Sequence, residues 1–225
     1  MTWTSVSTVR IALLDDHAVV RYGFARRLAE EPDFQVVGIF ATSRELMASL
    51  RTTPADLLII DYALGSNDID GLNLIRVLKV RFPRCKILVS SSHYNPATVA
   101  LAMKAGARGF VGKSQELSEL IQAVRVVSVG RVHLSGFMAG ELDAMMTAGA
   151  AAALRSDSLS EHAALSPRER EVLRCCLDGM TVTEIAEKFA RSVKTISGQK
   201  QSAFRKLGVR NDNELFKIQH QIDDL

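Results

Sequence analysis

The sequence is poor in the features that mark secreted, membrane-spanning and zinc-binding proteins. Only three of its 225 residues are cysteine, and two of them, Cys175 and Cys176, are adjacent. An odd count with adjacent members predicts neither a disulfide framework nor a zinc site built from spaced cysteine pairs. No apolar run approaches the roughly 18 residues of a membrane-spanning helix, and the N-terminus lacks the apolar core of a signal peptide. We therefore expect reduced thiols, a cytoplasmic location and no membrane insertion.

Net charge is also low, at +3, but it is unevenly placed along the chain. Between residues 165 and 210 there are ten Lys and Arg and five acids, whereas the rest of the chain carries 18 bases and 20 acids. A basic C-terminal segment on a slightly acidic remainder is typical of a protein with one end that contacts a polyanion. An ordinary solvated surface would have the same composition. Charge alone therefore does not distinguish a polyanion-binding segment from such a surface, and the sequence motifs are needed.

Two kinds of periodicity divide the chain. From residue 9 to about 129, five short apolar runs alternate with five amphipathic segments, whereas from residue 165 the pattern is helical throughout. Parallel strands need helical crossovers that cover both faces of the sheet, so the first part predicts a doubly wound α/β fold with a five-stranded parallel sheet. Residues 132 to 146 predict a further helix, and the small and polar residues after it predict a linker. The predicted domains are residues 1–129, a linker with a helix at 130–164, and an all-α four-helix domain at 165–225.

Polar side chains follow the predicted strands where those strands end. Asp15 and Asp16 follow the first strand, Asp61 ends the third, a run of serines ends the fourth and Lys113 follows the fifth. The carboxyl ends of parallel strands share one edge of a sheet, so these groups should lie together. Crowded carboxylates suit Mg²⁺, and a metal and a lysine can stabilise charge on a phosphoryl group that Asp61 attacks. Taken singly, each Asp could instead be a helix cap or a solvated loop acid.

The motifs "LLDDH", "LLIID", "ILVSSS" and "GFVGK" resemble the receiver (CheY-like) domain of bacterial two-component response regulators. The resemblance implies that Asp61 is the phosphoacceptor and that Lys113 pairs with the phosphoryl group. It implies that Asp16, Asp61 and the backbone carbonyl of Ala63 ligate Mg²⁺, with Asp15 helping through water. It also implies a cognate sensor histidine kinase, or a histidine phosphotransfer protein, as the phosphoryl donor.

Receivers also couple a hydroxyl after the fourth strand to an aromatic side chain on the fifth. By resemblance the hydroxyl moves to bond the phosphoryl oxygen, and the aromatic ring fills the vacated space. Counting back from "NPA" assigns the hydroxyl to Ser91, with a one-residue ambiguity in the run of Ser90, Ser91 and Ser92, and the aromatic maps to Phe110. A Phe on a buried strand is also an ordinary core residue.

The segment after Asp61 departs from the family pattern. Receivers usually continue Asp-x-x-Met-Pro-Gly, whereas this chain reads "DYALGSNDIDG", with Leu64 and Gly65 in place of Met and Pro. Proline fixes φ and glycine frees it, so this loop should be more mobile before phosphorylation. No chemical group of the pocket is lost, and phosphorylation is still expected.

The segments "TVTEIAEKFA" and "SVKTISGQKQSAFRKLG" predict a helix-turn-helix with the second helix in the major groove of DNA. Val193, Ile196, Ala203 and Leu207 should form the inward face of that helix. Glutamine can pair with adenine and serine with either base type, while lysine and arginine clamp phosphates. A basic protein-docking bundle would have a similar composition. The residues predicted to contact DNA are Lys194, Thr195, Ser197, Gly198, Lys200, Gln201 and Arg205.

The motifs "LSPREREVL", "VKTIS" and "RKLGV" resemble the four-helix LuxR/FixJ-type DNA-binding domain. Together with the receiver motifs they point to the NarL/FixJ response regulators, and within that group the C-terminal segment is most similar to the Rcs capsule-regulating type. In this family the last helix, here "NDNELFKIQHQI", pairs two DNA-binding domains. A two-fold homodimer implies an inverted-repeat operator, whereas packing of that helix on its own domain is the alternative.

The two resemblances together imply a transcription factor, not an enzyme. Phosphorylation at Asp61 would control dimerisation and sequence-specific binding to double-stranded DNA. One alternative is an atypical receiver that acts without phosphorylation, mainly through heterodimers with another regulator. Another is a phosphoaspartyl hydrolase, but such an enzyme needs a general acid two residues after its nucleophile, where this chain has Ala63.

Overall fold

The computed structural model describes residues 8–65, 68–92, 94–153 and 165–217. The chain divides into two compact units. The first comprises residues 1–94 and 98–135, and the second comprises residues 95–97 and 136–225.

The first unit is a doubly wound parallel sheet, and the fold class predicted from the sequence is confirmed. The sheet order is β2-β1-β3-β4-β5, with every pairing parallel. Its strands are β1 (Val9–Leu14), β2 (Phe34–Phe40), β3 (Leu57–Asp61), β4 (Lys86–Ser91) and β5 (Gly109–Gly112). Its helices are α1 (Ala18–Ala29), α2 (Ser43–Ser49), α3 (Gly71–Arg81), α4 (Pro96–Ala105, of which residues 98–105 belong to this unit) and α5 (Leu117–Ser128).

Burial of the central strands explains why they read as unbroken apolar runs. All five residues of β3 are buried, because β1 and β4 flank the strand and helices cover both faces of the sheet. Ile11, Leu57 and Leu88 join Val124 and Val127 of α5 in one apolar cluster. Full burial of each such side chain contributes about 1.5–3 kcal/mol.

Strand order decides where a site can form. The chain passes from β1 outward to β2 and then returns to β3 on the other side of β1, so the order reverses between β1 and β3. Crevices at the carboxyl ends of strands beside such a reversal are the usual ligand sites of parallel sheets. Asp15, Asp16 and Asp61 stand at this crevice.

The outer edge of β5 is covered by the chain that follows α5. The backbone N–H of His133 donates to the Arg108 carbonyl at 3.0 Å, and the N–H of Phe110 donates to the His133 carbonyl at 3.3 Å. Only glycine fits at position 109 without displacing neighbours, since a Cβ there would lie 2.9 Å from Leu88 Cδ1 and 3.0 Å from Val127 Cγ2. An edge strand paired in this way is protected from pairing with another chain.

The second unit is helical among its described residues. It contains α6 (Gly136–Ala153), α7 (Pro167–Leu177), α8 (Val182–Lys188), α9 (Val193–Leu207) and α10 (Asp212–Lys217). The sequence predicted a helix over 132–146, whereas α6 starts at 136 and continues to 153. It starts later because 131–135 run along β5, and it continues because alanine is the strongest helix former. Residues 154–164 of the predicted linker and 218–222 of the predicted last helix lie outside the described residues.

Helices α7, α8 and α9 each begin at a side-chain cap. Ser166 and Thr181 form capping boxes with the glutamates three residues on, and Ser192 caps α9. Helix α9 ends at Gly208, whose φ of 69° is in the left-handed region that glycine tolerates. These caps satisfy backbone groups that the ends of short helices would otherwise leave unpaired.

The inward face of α9 differs in part from the prediction. Ile196 and Ala203 are buried and Leu207 packs against the core, but Val193 is 49% exposed. Phe204, which the sequence argument omitted, is buried instead. Helical phase assigns a direction to each side chain, but it does not show whether a neighbouring helix extends over that turn of the helix.

Glu169 should stabilise the second unit in a pH-dependent way. Burial opposes its charge, but hydrogen bonds from Lys206, Ser166 and Ser202 outweigh that cost and lower its pKa to about 2. Because the pKa of Glu169 is lower in the folded than in the unfolded protein, ionised Glu169 stabilises the folded state. This contribution is complete above about pH 4.5 and is lost as the pH falls toward 2. Replacing Glu169 by Gln should therefore lower the free energy of unfolding by about 2 kcal/mol at pH 7.

Denaturant unfolding of the full chain measures this effect, with Glu187→Gln on the exposed side of α8 as the matched control. The difference in free energy of unfolding between Glu169→Gln and wild type should become smaller below pH 4. Equal stability of the two variants at pH 7 would contradict the prediction.

Candidate functional site

Four side chains converge at the carboxyl ends of β1 and β3. Asp15, Asp16, His17 and Asp61 each place one potential ligand atom within 4.8 Å of the others. Asp15 and Asp61 are buried, at 4% and 3% exposure, whereas Asp16 and His17 face solvent. Three carboxylates this close repel each other unless positive charge lies among them.

Lys113 supplies part of that positive charge. Its Nζ atom lies 2.7 Å from Asp15 Oδ2 and 2.5 Å from Asp61 Oδ2. The backbone N–H of Lys113 donates to the Ser91 carbonyl at 2.8 Å, so the end of β4 fixes where this lysine leaves β5. Burial opposes the charge of the ammonium, but Asp61 and Asp15 outweigh it and raise the pKa of Lys113 above its ordinary value.

Unlike Lys113, Asp61 has surroundings that disfavour its charged form. Burial disfavours its charged form, and the neighbouring charge of Asp15 adds to this, so its pKa rises to about 6 although Lys113 opposes the shift. Perturbed carboxyl groups in a crevice are typical of functional sites. Asp61 is therefore held in the folded protein at a cost in stability.

The donor set of the cluster is consistent with Mg²⁺ binding. Carboxylate oxygens are the ligands that hard divalent cations prefer, and a cation here would relieve the repulsion among the three acids. His17 is a fourth member of the cluster that was not among the predicted ligands, and its Nδ1 atom lies 2.7 Å from Asp16 Oδ1. The backbone N–H of Ala63 donates to Asp61 Oδ1 at 3.2 Å, while ligation by its carbonyl stays a prediction.

Two serines at the end of β4 are candidates for the switch hydroxyl. Ser90 and Ser91 are both buried and Ser92 is exposed, so burial singles out the first two. Ser90 is in register with Asp61, and its hydroxyl has no hydrogen-bond partner within the described residues. The assignment to Ser91 stays a prediction, with Ser90 as the other candidate.

Phe110 is fully buried and stands between two tyrosines. Its ring centroid is 6.2 Å from that of Tyr62, which follows Asp61, and 5.8 Å from that of Tyr94. The Tyr94 hydroxyl is 2.8 Å from the Ser135 hydroxyl, at the end of the first unit. Neither tyrosine was predicted as part of the site, because no local pattern in the sequence shows that they pack on β5.

The loop after Asp61 is hydrogen-bonded where its residues are described. The N–H of Leu64 donates to Asp70 Oδ2 at 3.0 Å, and the N–H of Gly71 donates to the Tyr62 carbonyl at 2.7 Å. Gly71 has a φ of 53°, which glycine adopts without strain. The mobility that the sequence predicted stays a prediction, but these bonds constrain the loop in ways that the loss of Met-Pro did not reveal.

The residues predicted to contact DNA lie along α9 with unequal exposure. Thr195 bonds within the helix start, because its hydroxyl is 2.8 Å from that of Ser192. Lys200 is half-buried, with its Nζ atom 2.6 Å from Asp212 Oδ1 and 5.2 Å from the centroid of the Phe204 ring. Its predicted contact with phosphate therefore competes with a bond inside the unit. The exposed residues are Lys194, Thr195, Gly198, Gln201 and Arg205, and the half-buried ones are Ser197 and Lys200.

Among the helices of the described residues, none combines the length and apolar character needed to cross a membrane.

Two family models match the chain. The response regulator receiver domain matches residues 11–125, which include the acidic cluster and Lys113. The luxR family of bacterial regulatory proteins matches residues 163–218, which include α7 to α10.

Characterised relatives match over nearly the whole chain. The transcriptional regulatory protein UhpA of Salmonella typhimurium is 39% identical over 207 residues, which cover 92% of this chain and 95% of UhpA. The transcriptional regulatory protein RcsB of Escherichia coli is 34% identical over 208 residues, covering 92% of each chain. A solved structure of RcsB from Salmonella typhimurium has a TM-score of 0.78 at 32% identity, covering 96% of this chain and 98% of that chain.

RcsB from Salmonella enterica serovar Typhimurium has also been solved bound to the promoter rprA in the presence of the phosphomimetic BeF3-. That structure has a TM-score of 0.74 at 33% identity and covers 93% of this chain and 97% of that chain. These relatives are transcriptional regulators, not enzymes. The chain therefore belongs to the NarL/FixJ family of response regulators, transcription factors that join a receiver domain to a LuxR-type DNA-binding domain.

Proposed function

We propose that phosphorylation of Asp61 switches this transcription factor between states of different affinity for DNA. The observation that carries the proposal is the buried Asp61 carboxylate, joined to Lys113 and crowded by Asp15 and Asp16 at the crevice of a parallel sheet. A carboxylate in such a pocket is a nucleophile with its charge-stabilising partners already in place.

The phosphoryl group would come from a sensor histidine kinase or a histidine phosphotransfer protein. A carboxylate oxygen of Asp61 attacks phosphorus, the bond to the donor's imidazole nitrogen breaks, and that nitrogen keeps the electron pair. Lys113 then pairs with a phosphoryl oxygen. Mg²⁺, held by Asp16, Asp61 and the Ala63 carbonyl with Asp15 acting through water, would neutralise charge on the phosphoryl oxygens.

Ser91 and Phe110 would transmit the effect of phosphorylation at Asp61 to the end of the first unit. A phosphoryl oxygen on Asp61 offers the Ser91 hydroxyl a strong acceptor, and the space that the hydroxyl leaves admits the Phe110 ring. Tyr94 packs on Phe110 and bonds Ser135, so movement of the ring alters the last residue of the unit. This contact supports a route from the phosphoryl group toward the linker.

The DNA-bound form would be a homodimer on an inverted repeat. RcsB has been solved as two dimers bound to two parallel DNAs, at 32% identity and a TM-score of 0.72, which supports this proposal by relationship. Residues 165–225 would form the DNA-binding domain, residues 1–129 the receiver and residues 130–164 the linker. A cytoplasmic location follows from this function.

The test is to treat the full chain with a small phosphodonor and Mg²⁺. Mass in solution and DNA binding are then compared with and without the donor, with Asp61→Asn as the matched control. We expect the treated wild type to become dimeric and to bind a selected operator more tightly, while the control does not respond. Equal DNA affinity with and without the donor would contradict phosphorylation control.

The substituted loop after Asp61 favours a second candidate, a regulator that acts mainly through heterodimers with another regulator and without phosphorylation. Gly65 stands where receivers carry the proline that shapes the ligand-bearing turn. Co-purification with a second DNA-binding subunit, together with no phosphoryl uptake from the donor, would favour this candidate.

A further inference from the structure

Asp68 fastens the loop after Asp61 to the start of α2. Its Oδ2 atom accepts a hydrogen bond from the Ser43 backbone N–H at 2.6 Å. Its Oδ1 atom accepts one from the Ser43 hydroxyl and another from the Ile69 N–H at 2.8 Å. Ser43 is 1% exposed, so packing fixes the position of its donors. Hydrogen bonds to a carboxylate are about twice as strong as neutral ones.

This contact links two segments that are 25 residues apart in the sequence. Between Asp61 and Gly71 the chain has no proline, and Gly65 restricts the backbone least of all residue types. The hydrogen bonds of Asp68 and Asp70 hold the backbone of this loop in place. In the usual Met-Pro sequence, the restricted backbone of proline would do the same. A fixed point within a loop reduces the conformations that the rest of the loop can adopt.

The fastened loop lies directly against the acidic cluster. A Cβ at Gly65 would be 3.9 Å from Asp16 Oδ2, so the loop backbone passes beside a proposed metal ligand. One open groove of about 860 Å³ is lined by Asp16 and Gly65 together with Ser43 and Asp68. Ala63 lies two residues before Gly65, and the position of its carbonyl therefore depends on how the loop is held.

We propose that Asp68, through Ser43, is a positioning residue of the phosphorylation site. It holds the loop so that the Ala63 carbonyl stays beside Asp16 and Asp61, where Mg²⁺ binds. The inference rests on the proposed function, because it assigns a role in metal binding and phosphorylation to a residue that touches neither group.

The test measures Mg²⁺ binding to the full chain by calorimetric titration, and separately the phosphorylation rate as a function of Mg²⁺ concentration. Loss of an outer support of a metal site typically weakens metal binding, and for Asp68→Ala we expect a half-saturating Mg²⁺ concentration raised roughly tenfold. The phosphorylation rate at saturating Mg²⁺ should stay close to that of wild type, because no group that contacts the phosphoryl is removed.

Three further variants separate positioning from a general loss of stability. Asp68→Asn keeps one carbonyl acceptor and should be intermediate, and Ser43→Ala keeps the backbone N–H and should also be intermediate. Asp33→Ala breaks a surface ion pair with Arg125 at the opposite end of the sheet and should leave Mg²⁺ binding unchanged. Amide exchange at Ala63 should be faster in Asp68→Ala than in wild type.

Unchanged Mg²⁺ affinity in Asp68→Ala, or an equal loss in Asp33→Ala, would overturn the positioning role. If Asp68→Ala does not fold, Ser43→Ala decides in its place, and an affinity equal to that of wild type overturns the role. Wild type that binds Mg²⁺ but never takes up a phosphoryl group would overturn the proposed function, while the metal titrations still decide the role of Asp68. Wild type that does not bind Mg²⁺ would overturn both.

Discussion

Replacing Asp61 by Asn should abolish phosphoryl uptake and at the same time stabilise the metal-free receiver. Uptake is lost because the amide oxygen that would replace the Asp61 carboxylate beside Lys113 is a poor nucleophile. The stability gain follows from burial and the neighbouring Asp15, which raise the pKa of Asp61 from its ordinary value of 3.8 to about 6.

The sign of the pH dependence follows from the direction of that shift. Folded protein holds the Asp61 proton up to about pH 6, whereas unfolded chain loses it near pH 3.8. The contribution of Asp61 to stability is therefore complete below its pKa in the unfolded chain, and it is lost as the pH rises to about 6. At pH 7.5 the ionised Asp61 carboxylate lowers the free energy of unfolding by on the order of 2–3 kcal/mol. The Asn variant should recover only part of this, because Lys113 loses one of its partners.

Denaturant unfolding between pH 4 and pH 8 without Mg²⁺ checks this prediction, and a phosphodonor assay with Mg²⁺ checks the chemistry. Asp33→Asn is the matched control, a carboxyl at the amino end of β2 with a pKa lowered by Arg125. That control should keep phosphoryl uptake and lose stability slightly. An Asp61→Asn protein that is less stable than wild type at pH 7.5 would contradict the effect of burial.

Two variants of α9 should separate base reading from phosphate binding. Gln201→Ala should weaken binding to the preferred operator by about 1–3 kcal/mol and relax the preference at one base position. Arg205→Ala should weaken binding to all sequences alike and reduce the slope of log affinity against log salt by about 1. Both residues are exposed on α9, so their loss should leave the core of the unit intact.

The measurement is a salt titration of binding to a selected operator and to the same operator with single base changes. Arg108→Ala, an exposed arginine of the receiver, is the control and should change neither slope nor preference. Lys200→Ala should act differently from Arg205→Ala, since it also removes the ion pair that joins α9 to Asp212. An unchanged preference in Gln201→Ala would contradict base reading by that residue.

Sequence reasoning succeeded where the signal is local and periodic. The five apolar runs between residues 9 and 129 were predicted as parallel strands and form β1 to β5, and the carboxylates predicted at strand ends do converge with Lys113. Topology makes this inference possible, because every parallel strand in such a sheet ends at the same edge. The convergence of the three carboxylates and Lys113 follows from the alternating pattern and four residue identities.

The same reasoning failed where a residue's role depends on a distant partner. Val193 has the phase of a core residue but remains exposed, because the packing helices do not cover its turn. No role was predicted for Tyr94 or Asp68, yet one bonds Ser135 and the other bonds Ser43. Their partners lie 41 and 25 residues away.

The sequence by itself determined the class of fold, the carboxylates of the proposed phosphorylation site and the helix that is predicted to read DNA. These depend on hydrophobic period and on residues at strand ends, both of which are local properties. Only the tertiary structure decided how the loop after Asp61 is held and where Phe110 makes contact, because hydrogen bonds and ring contacts between distant segments exist only once the sheet and helices have packed.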